Sequence, residues 1–263
     1  MKIKKIIIIS LTAALILLSI MFIFLFDGCK SNYKKIVSDE FRVCFAETYK
    51  TFMDKNSLTI KDYPAEILAL LERNPETESF VLNYPLLKNE KSDVDISSYL
   101  KEEAFPYFKQ WDTQWGYKKY GSGVMGLTGC GPTCLSMAAV YLLKDDKLDP
   151  SFVAEMSIKN GYCVDGCGSS WRLISEGAEK LGLGSEELPL HESTIIKHLS
   201  LGHPVICVMG PGDFTATGHF IVITEHTENG FRLHDPNSIE RTNKYWAYNT
   251  LAPQIRNLWA IYK

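Results

Sequence analysis

Neither sign of charge dominates this chain. Lys and Arg total 28 against 31 Asp and Glu, a formal net charge of −3, so no basic face is on offer to nucleic acid. Glycine and proline are sparse, 18 and 11 of 263 residues, which excludes collagen-like and low-complexity architectures. Cysteine is too thin for a disulfide framework: there are seven, and an odd number leaves at least one unpaired in a monomer. Nucleotide motifs are missing too. No G-x-x-x-x-G-K-[ST] occurs, and the G-x-G-x-x-G spelled by residues 121–126 follows no clear strand and opens no helix. Neither a P-loop nor a dinucleotide fold is expected. His191-Glu192 begins an H-E-x-x-H pattern, but Ile195 stands where the second histidine is needed, and G-x-S-x-G is absent. Zinc-protease and serine-elbow chemistry are thereby set aside.

Hydrophobicity, by contrast, is concentrated at the start. After Lys2, Lys4 and Lys5, residues 6–26 run for 21 positions without a charge, enough helix to reach about 30 Å, the thickness of a bilayer core. The run ends Phe24-Leu25-Phe26-Asp27, without the small residues a signal-peptide cleavage site needs. Cys29 after Gly28 fits a lipoprotein site only loosely. Residues 1–26 are therefore expected to be an uncleaved single-pass anchor in the cell membrane, with the rest of the chain extracytoplasmic. Lys30, Lys34 and Lys35 balance the lysines on the other side, so the positive-inside rule hardly orients it.

The remainder reads in two parts. Phe41, Phe45, Tyr49 and Phe52 lie on one face of a helix over residues 36–53. Pro64 opens a helix over 65–72, a short turn is expected over 76–84, and the charged stretch 88–95 reads as a linker. Residues 27–104 thus form a helical juxtamembrane region, and 105–263 a domain of different texture. Helices are expected there over 135–143, 151–159 and 171–181, the latter two closed by Gly161 and Gly182, and over 194–199 with Ser193 as cap. Strands follow over 204–209, 219–225, 230–234 and 257–262. Helices before strands indicate an α+β fold with a largely antiparallel sheet.

The chemistry centres on Gly129-Cys130-Gly131-Pro132-Thr133. Proline two residues after the cysteine, followed by a long apolar run, puts Cys130 at a helix N-terminus, where free N–H groups and the helix dipole favour a thiolate. The flanking glycines read as room for a substrate backbone. His219, at the entrance of an apolar strand, is the best proton partner; His191, His198, His203 and His226 read as surface or structural histidines. Asp235 ends the next strand, and the short 228–230 turn brings it beside His219 as orienter of the imidazole, with Asn237 as fallback. An oxyanion donor should come from a side-chain amide upstream, Gln110 or Gln114. The remaining cysteines suggest no metal: Cys134 reads as a buried hydrophobe, and Cys163 and Cys167 as a small disulfide loop.

Gln110-Trp111-Asp112, Trp115-Gly116-Tyr117, residues 128–136, residues 209–215, Gly218-His219-Phe220 and residues 234–238 together resemble the papain-like cysteine peptidases related to bacteriocin-leader (double-glycine) processing peptidases. The resemblance is strongest to the stand-alone peptidase-like branch of Gram-positive bacteria and spans about residues 63–262. It implies a papain-like fold in which a cysteine-bearing helix packs on an antiparallel sheet carrying the histidine. It further implies Cys130 as nucleophile, His219 as base, Asp235 as orienter and Gln110 as oxyanion residue. Two departures matter. The ATPase and transporter domains of export-linked members have no counterpart, so leader cleavage during export is not implied, and Cys163 and Cys167 occupy a segment usually free of cysteine. The expected activity is peptide-bond hydrolysis through a thioester, with a peptide or protein substrate, no cofactor, and no nucleotide or nucleic-acid partner. A cell-wall peptide amidase or transpeptidase with the same triad, and an inactive peptide-binding module, are the alternatives.

Overall fold

The computed structural model describes residues 37–263 apart from Lys91, Glu102 and Glu103; the anchor expected at residues 1–26 lies outside them. Among the described residues no helix is long and apolar enough to cross a membrane.

The apolar stripe near the start folds as two helices, α1 (Asp39–Thr48) and α2 (Lys50–Lys55). The Ser38 side chain caps the first by accepting from Phe41 N at 3.1 Å. α3 (Ala65–Arg73) follows Pro64. α4 (Glu78–Leu87) is a ten-residue helix where only a short turn was expected. Pro85 lies inside it and costs a backbone hydrogen bond, but tertiary packing holds the helix. Phe80 is the anchor. Its ring stacks on Tyr117 with centroids 4.5 Å apart. It rests on Gly116 and Gly126, where an added Cβ would meet the ring at 2.8 and 2.4 Å. Trp111 and Tyr117 belong to the same buried cluster as Phe45, Tyr63 and Leu68, so these helices share a core with the chain beyond residue 104. Residues 36–263 form one compact unit.

A small hairpin, β1 (Lys119–Tyr120) and β2 (Gly123–Val124), leads through α5 (Met125–Thr128) into α6 (Cys130–Leu143). α6 starts five residues earlier than its apolar run and is buried on every side from Gly131 to Val140. α7 (Pro150–Lys159) and α8 (Arg172–Lys180) pack against it. Gly161 and Gly182, with φ of 72° and 80°, close these two in the left-handed conformation that disfavours side chains. Between them β3 (Cys163–Val164) and β4 (Gly168–Ser169) pair as a hairpin. Cys163 keeps a free thiol, so the expected 163–167 disulfide is not formed. The backbone ladder, with Gly166 and Gly168 at positive φ, closes this turn without one.

The sheet has five antiparallel strands: β5 (Gly184–Glu187), β6 (Val205–Met209), β7 (His219–Thr227), β8 (Gly230–His234) and β9 (Ile255–Tyr262), in the order β5-β9-β6-β7-β8. β5 escaped the sequence reading because Gly184-Ser185-Glu186-Glu187 carries no alternation; it is an edge strand, paired on one side only. Both faces are covered. Ile206, Val208, Phe220, Val222 and Trp259 pack toward α6, and Val205, Cys207, Ile221, Ile223 and Leu258 pack toward α9 (Glu192–Ser200). α9 begins earlier than expected: His191 is its N-cap and Ser193 lies in the first turn, since Thr194 N and Ile195 N both bond to His191 O. Two short helices, α10 (Ile239–Thr242) and α11 (Tyr248–Leu251), separate β8 from β9.

Truncating Phe80→Ala should cost about 3 kcal/mol, the usual penalty for emptying a buried aromatic site. Gly126→Ala should destabilise as well, because its new methyl needs the volume of that ring. Urea unfolding followed by tryptophan fluorescence measures both.

Candidate active site

Cys130 is the first residue of α6, with Gly129 as N-cap. The leading N–H groups of a helix have no intrahelical acceptor, and Pro132 has none to leave unpaired. The flanking glycines serve packing, a correction to their reading as substrate space. A Cβ on Gly131 would lie 2.5 Å from Ser169 Oγ, and one on Gly129 would lie 2.6 Å from Met125 O. β4 and α5 therefore clamp the first turn of α6 directly.

His219 opens β7, and Asp235 follows directly on β8. Val222 pairs with His234 in that ladder, so one step further Asp235 comes opposite Ile221, diagonal to His219 and on its face. His219 Nε2 and Asp235 Oδ1 are 2.7 Å apart. The thiol of Cys130 lies against the same ring and also raises its pKa; with Nε2 taken by Asp235, Nδ1 is the nitrogen left for it. Both His219 and Asp235 are buried. Burial alone would strip the ring of its proton, but the Asp235 carboxylate and the Cys130 sulfur outweigh it and push its pKa up to about 10. Burial likewise pushes the Asp235 carboxyl up, and His219 together with Arg241 more than reverses this, holding it below its ordinary value.

Arg241 is the member that sequence reading missed. Its Nε lies 2.5 Å from Asp235 Oδ2, so the carboxylate is shared between a ring and a guanidinium. Nothing in the sequence flags an arginine six residues downstream; the turn into α10 brings it back. Asn237 acts through its backbone, whose N–H donates to Asp235 Oδ1 at 2.8 Å. Thr242 Oγ1 accepts from Asp235 N at 2.9 Å, and the Tyr107 hydroxyl donates to Asp235 O at 3.0 Å.

The two candidate amides part company. Gln114 holds the linker, its Oε1 accepting from Asp95 N at 2.8 Å. Gln110 is buried, and its backbone N–H donates to Pro236 O at 2.8 Å, beside Asp235. One Nε2 hydrogen goes to Gly126 O at 2.9 Å, while Oε1 has no partner among the described residues. His198 and His203 face each other across 3.4 Å. His234 donates from Nδ1 to Pro106 O, and burial lowers its pKa to about 4, so it is a neutral structural ring. The remaining buried thiols, Cys134 and Cys207, are raised by burial. Among the described residues no group of three or more His, Cys, Asp or Glu is placed to hold a metal ion.

The model of the Peptidase_C39 like family matches residues 102–263, more than half of the chain. The chain belongs to that family. Two solved structures resemble this C39-like protein. One is the peptidase domain of Streptococcus ComA, described as a bi-functional ABC transporter involved in a quorum-sensing pathway: 19% identity, covering 60% of this chain and 97% of that one, TM-score 0.43. The other is described as a C39-like peptidase of Bacillus anthracis: 14% identity, covering 61% and 96%, TM-score 0.38. None of the curated proteins matches in sequence. The cysteine-bearing helix of this C39-like chain packs on β7 of its antiparallel sheet, the α+β papain-like arrangement of the family.

Because the pKa of His219 is raised, its stabilisation is fully present below about 6.5, the ordinary histidine value, and is lost as pH rises through about 10. Asp235→Asn removes that contribution. The stability gap between the wild type and Asp235→Asn should therefore be widest near neutrality and below, and narrow steadily from about pH 6.5 to about 10. Urea midpoints across pH measure it.

Proposed function

We propose that this protein is a membrane-anchored, extracytoplasmic cysteine peptidase in which Cys130, His219 and Asp235 form the catalytic triad. The observation that carries the proposal is a buried imidazole held between a carboxylate at 2.7 Å and the thiol at the head of a buried helix. An imidazolium and a helix N-terminus both favour sulfur as the thiolate.

In this reading the Cys130 sulfur attacks the scissile carbonyl carbon and the carbonyl oxygen becomes an oxyanion. The backbone N–H of Cys130 and the second Nε2 hydrogen of Gln110 receive that charge. Gly126 O, bound to the first hydrogen, fixes which end of the amide is the donor. Nδ1 of His219 then gives its proton to the departing amine, and the C–N bond breaks to leave a thioester on Cys130. Water adds to the thioester with His219 taking its proton, and the C–S bond breaks to release the acid and restore the pair. Asp235 keeps the ring oriented throughout and stabilises its charged form whenever it carries the second proton. Residues 6–26 would supply the anchor, and the −6 charge of the remainder gives it no attraction to anionic lipid.

Cys130→Ala should reduce hydrolysis of casein-derived peptides by about 10³-fold or more with the fold intact. His219→Ala should be comparably damaging and Asp235→Ala milder, since the three act as one unit. At pH 6 iodoacetamide should label Cys130 faster than a model thiol, and His219→Ala should abolish that advantage. Undiminished turnover in Cys130→Ala would remove the proposal.

A further inference from the structure

The loop carrying the triad carboxylate is gripped from outside the family-matched region. Residues 74–76 lie between α3 and α4, upstream of residues 102–263, the stretch shared with the family. Asn74 Nδ2 donates to Asn237 O at 2.6 Å. The Glu76 carboxylate accepts from Ile239 N at Oε2 and from Glu240 N at Oε1, both at 2.8 Å, and from Ser238 Oγ at 3.4 Å. Two successive amides at the head of α10 are thereby satisfied by a side chain more than 160 residues away in sequence. The grip leads inward. Ser238 Oγ accepts from Arg241 N at 3.2 Å, and Arg241 Nε bonds to Asp235 Oδ2. The Arg241 guanidinium also stands 5.9 Å from the Phe214 ring, in the loop that runs into His219.

From this chain of contacts we infer that Asn74 and Glu76 are positioning residues of the active site: they fix the 237–240 turn, and through it the Arg241–Asp235 pair that orients His219. The inference rests on the triad reading above. The groups facing Asp235 are His219 and Arg241, and Glu240, the nearest other carboxylate on α10, is paired with Lys244 at 2.6 Å. The upstream helices are then part of the catalytic apparatus as well as a spacer between anchor and domain.

The test uses the full chain with Glu76→Ala, Asn74→Ala and, as control, Tyr49→Phe, which removes a hydrogen bond to Glu78 within the same helical layer. Three quantities are read: kcat and KM on casein-derived peptides, the iodoacetamide rate of Cys130 at pH 6, and the titration midpoint of the His219 ring by NMR. Glu76→Ala should lower kcat by about tenfold or more with KM little changed, as a misplaced catalytic group does. It should slow alkylation in parallel and bring the His219 midpoint down toward the ordinary histidine value, with Asn74→Ala changing the same quantities less and Tyr49→Phe none of them. A folded Glu76→Ala protein with wild-type midpoint and alkylation rate overturns the inference. If Glu76→Ala does not fold, Asn74→Ala decides by the same midpoint, and an unshifted value overturns it. The two failures separate cleanly: retained turnover in Cys130→Ala sinks the peptidase reading, whereas the His219 midpoint judges the grip without reference to turnover.

Discussion

Everything at this site depends on a fully buried carboxylate being kept charged. Asp235 has no exposed surface, and an unpaired carboxylate in such a place would cost several kcal/mol or take up a proton. Two cations on opposite oxygens, the His219 ring and the Arg241 guanidinium, prevent that. Asn237 N donates to the carboxylate as well, and Thr242, accepting from Asp235 N, and Tyr107, donating to Asp235 O, tie down the backbone that carries it. A protonated Asp235 would release the ring, and the ring would then lose its hold on its own proton. The cysteine, the histidine and the aspartate are thus one electrostatic assembly, and its foundation is the member furthest from the sulfur.

Much of this was legible in the chain. Cys-Gly-Pro before an apolar run located the helix head, and a strand beginning at His219, a tight turn and a strand ending before Asp235 located the pair. These signals are local: helix initiation and hairpin register are set within a few residues. The flanking glycines of Cys130 were read for the right position and the wrong reason, because Ser169 and Met125 reach them from other elements. From the residues alone Gln110 and Gln114 were equivalent, because the bond that ties Gln114 to the linker at Asp95 is a tertiary contact. Arg241, Asn74 and Glu76 were invisible because each acts on a partner that only folding brings to it. Arg241 turns back onto Asp235 from the next short helix, while Asn74 and Glu76 bond to backbone groups of residues 237–240, which carry no side-chain pattern to match. α4 was underread because Pro85 argues against a helix that only Phe80's packing sustains, and β5 because an edge strand held by its backbone needs no alternation.

Burial also separates the thiols of this chain from one another. Cys134 and Cys207 are sealed in the core with their thiols held neutral by burial. Cys163 is half-buried, and the same burial raises it. Cys130 alone among these four sits at a helix head against a charged imidazole. Position in the fold, rather than cysteine content, sorts reactive sulfur from inert sulfur.

The seat of Phe80 has a wider meaning. With its ring laid on two glycines of the following segment and stacked on Tyr117, the early helices share an interior with the 111–126 segment that leads into α6. Heat or denaturant should find a single cooperative block rather than a sturdy catalytic half and a loose stalk, and cutting the backbone in the 88–95 stretch would leave the two pieces associated. Any change in these early helices would therefore be felt in the segment that leads into the head of α6.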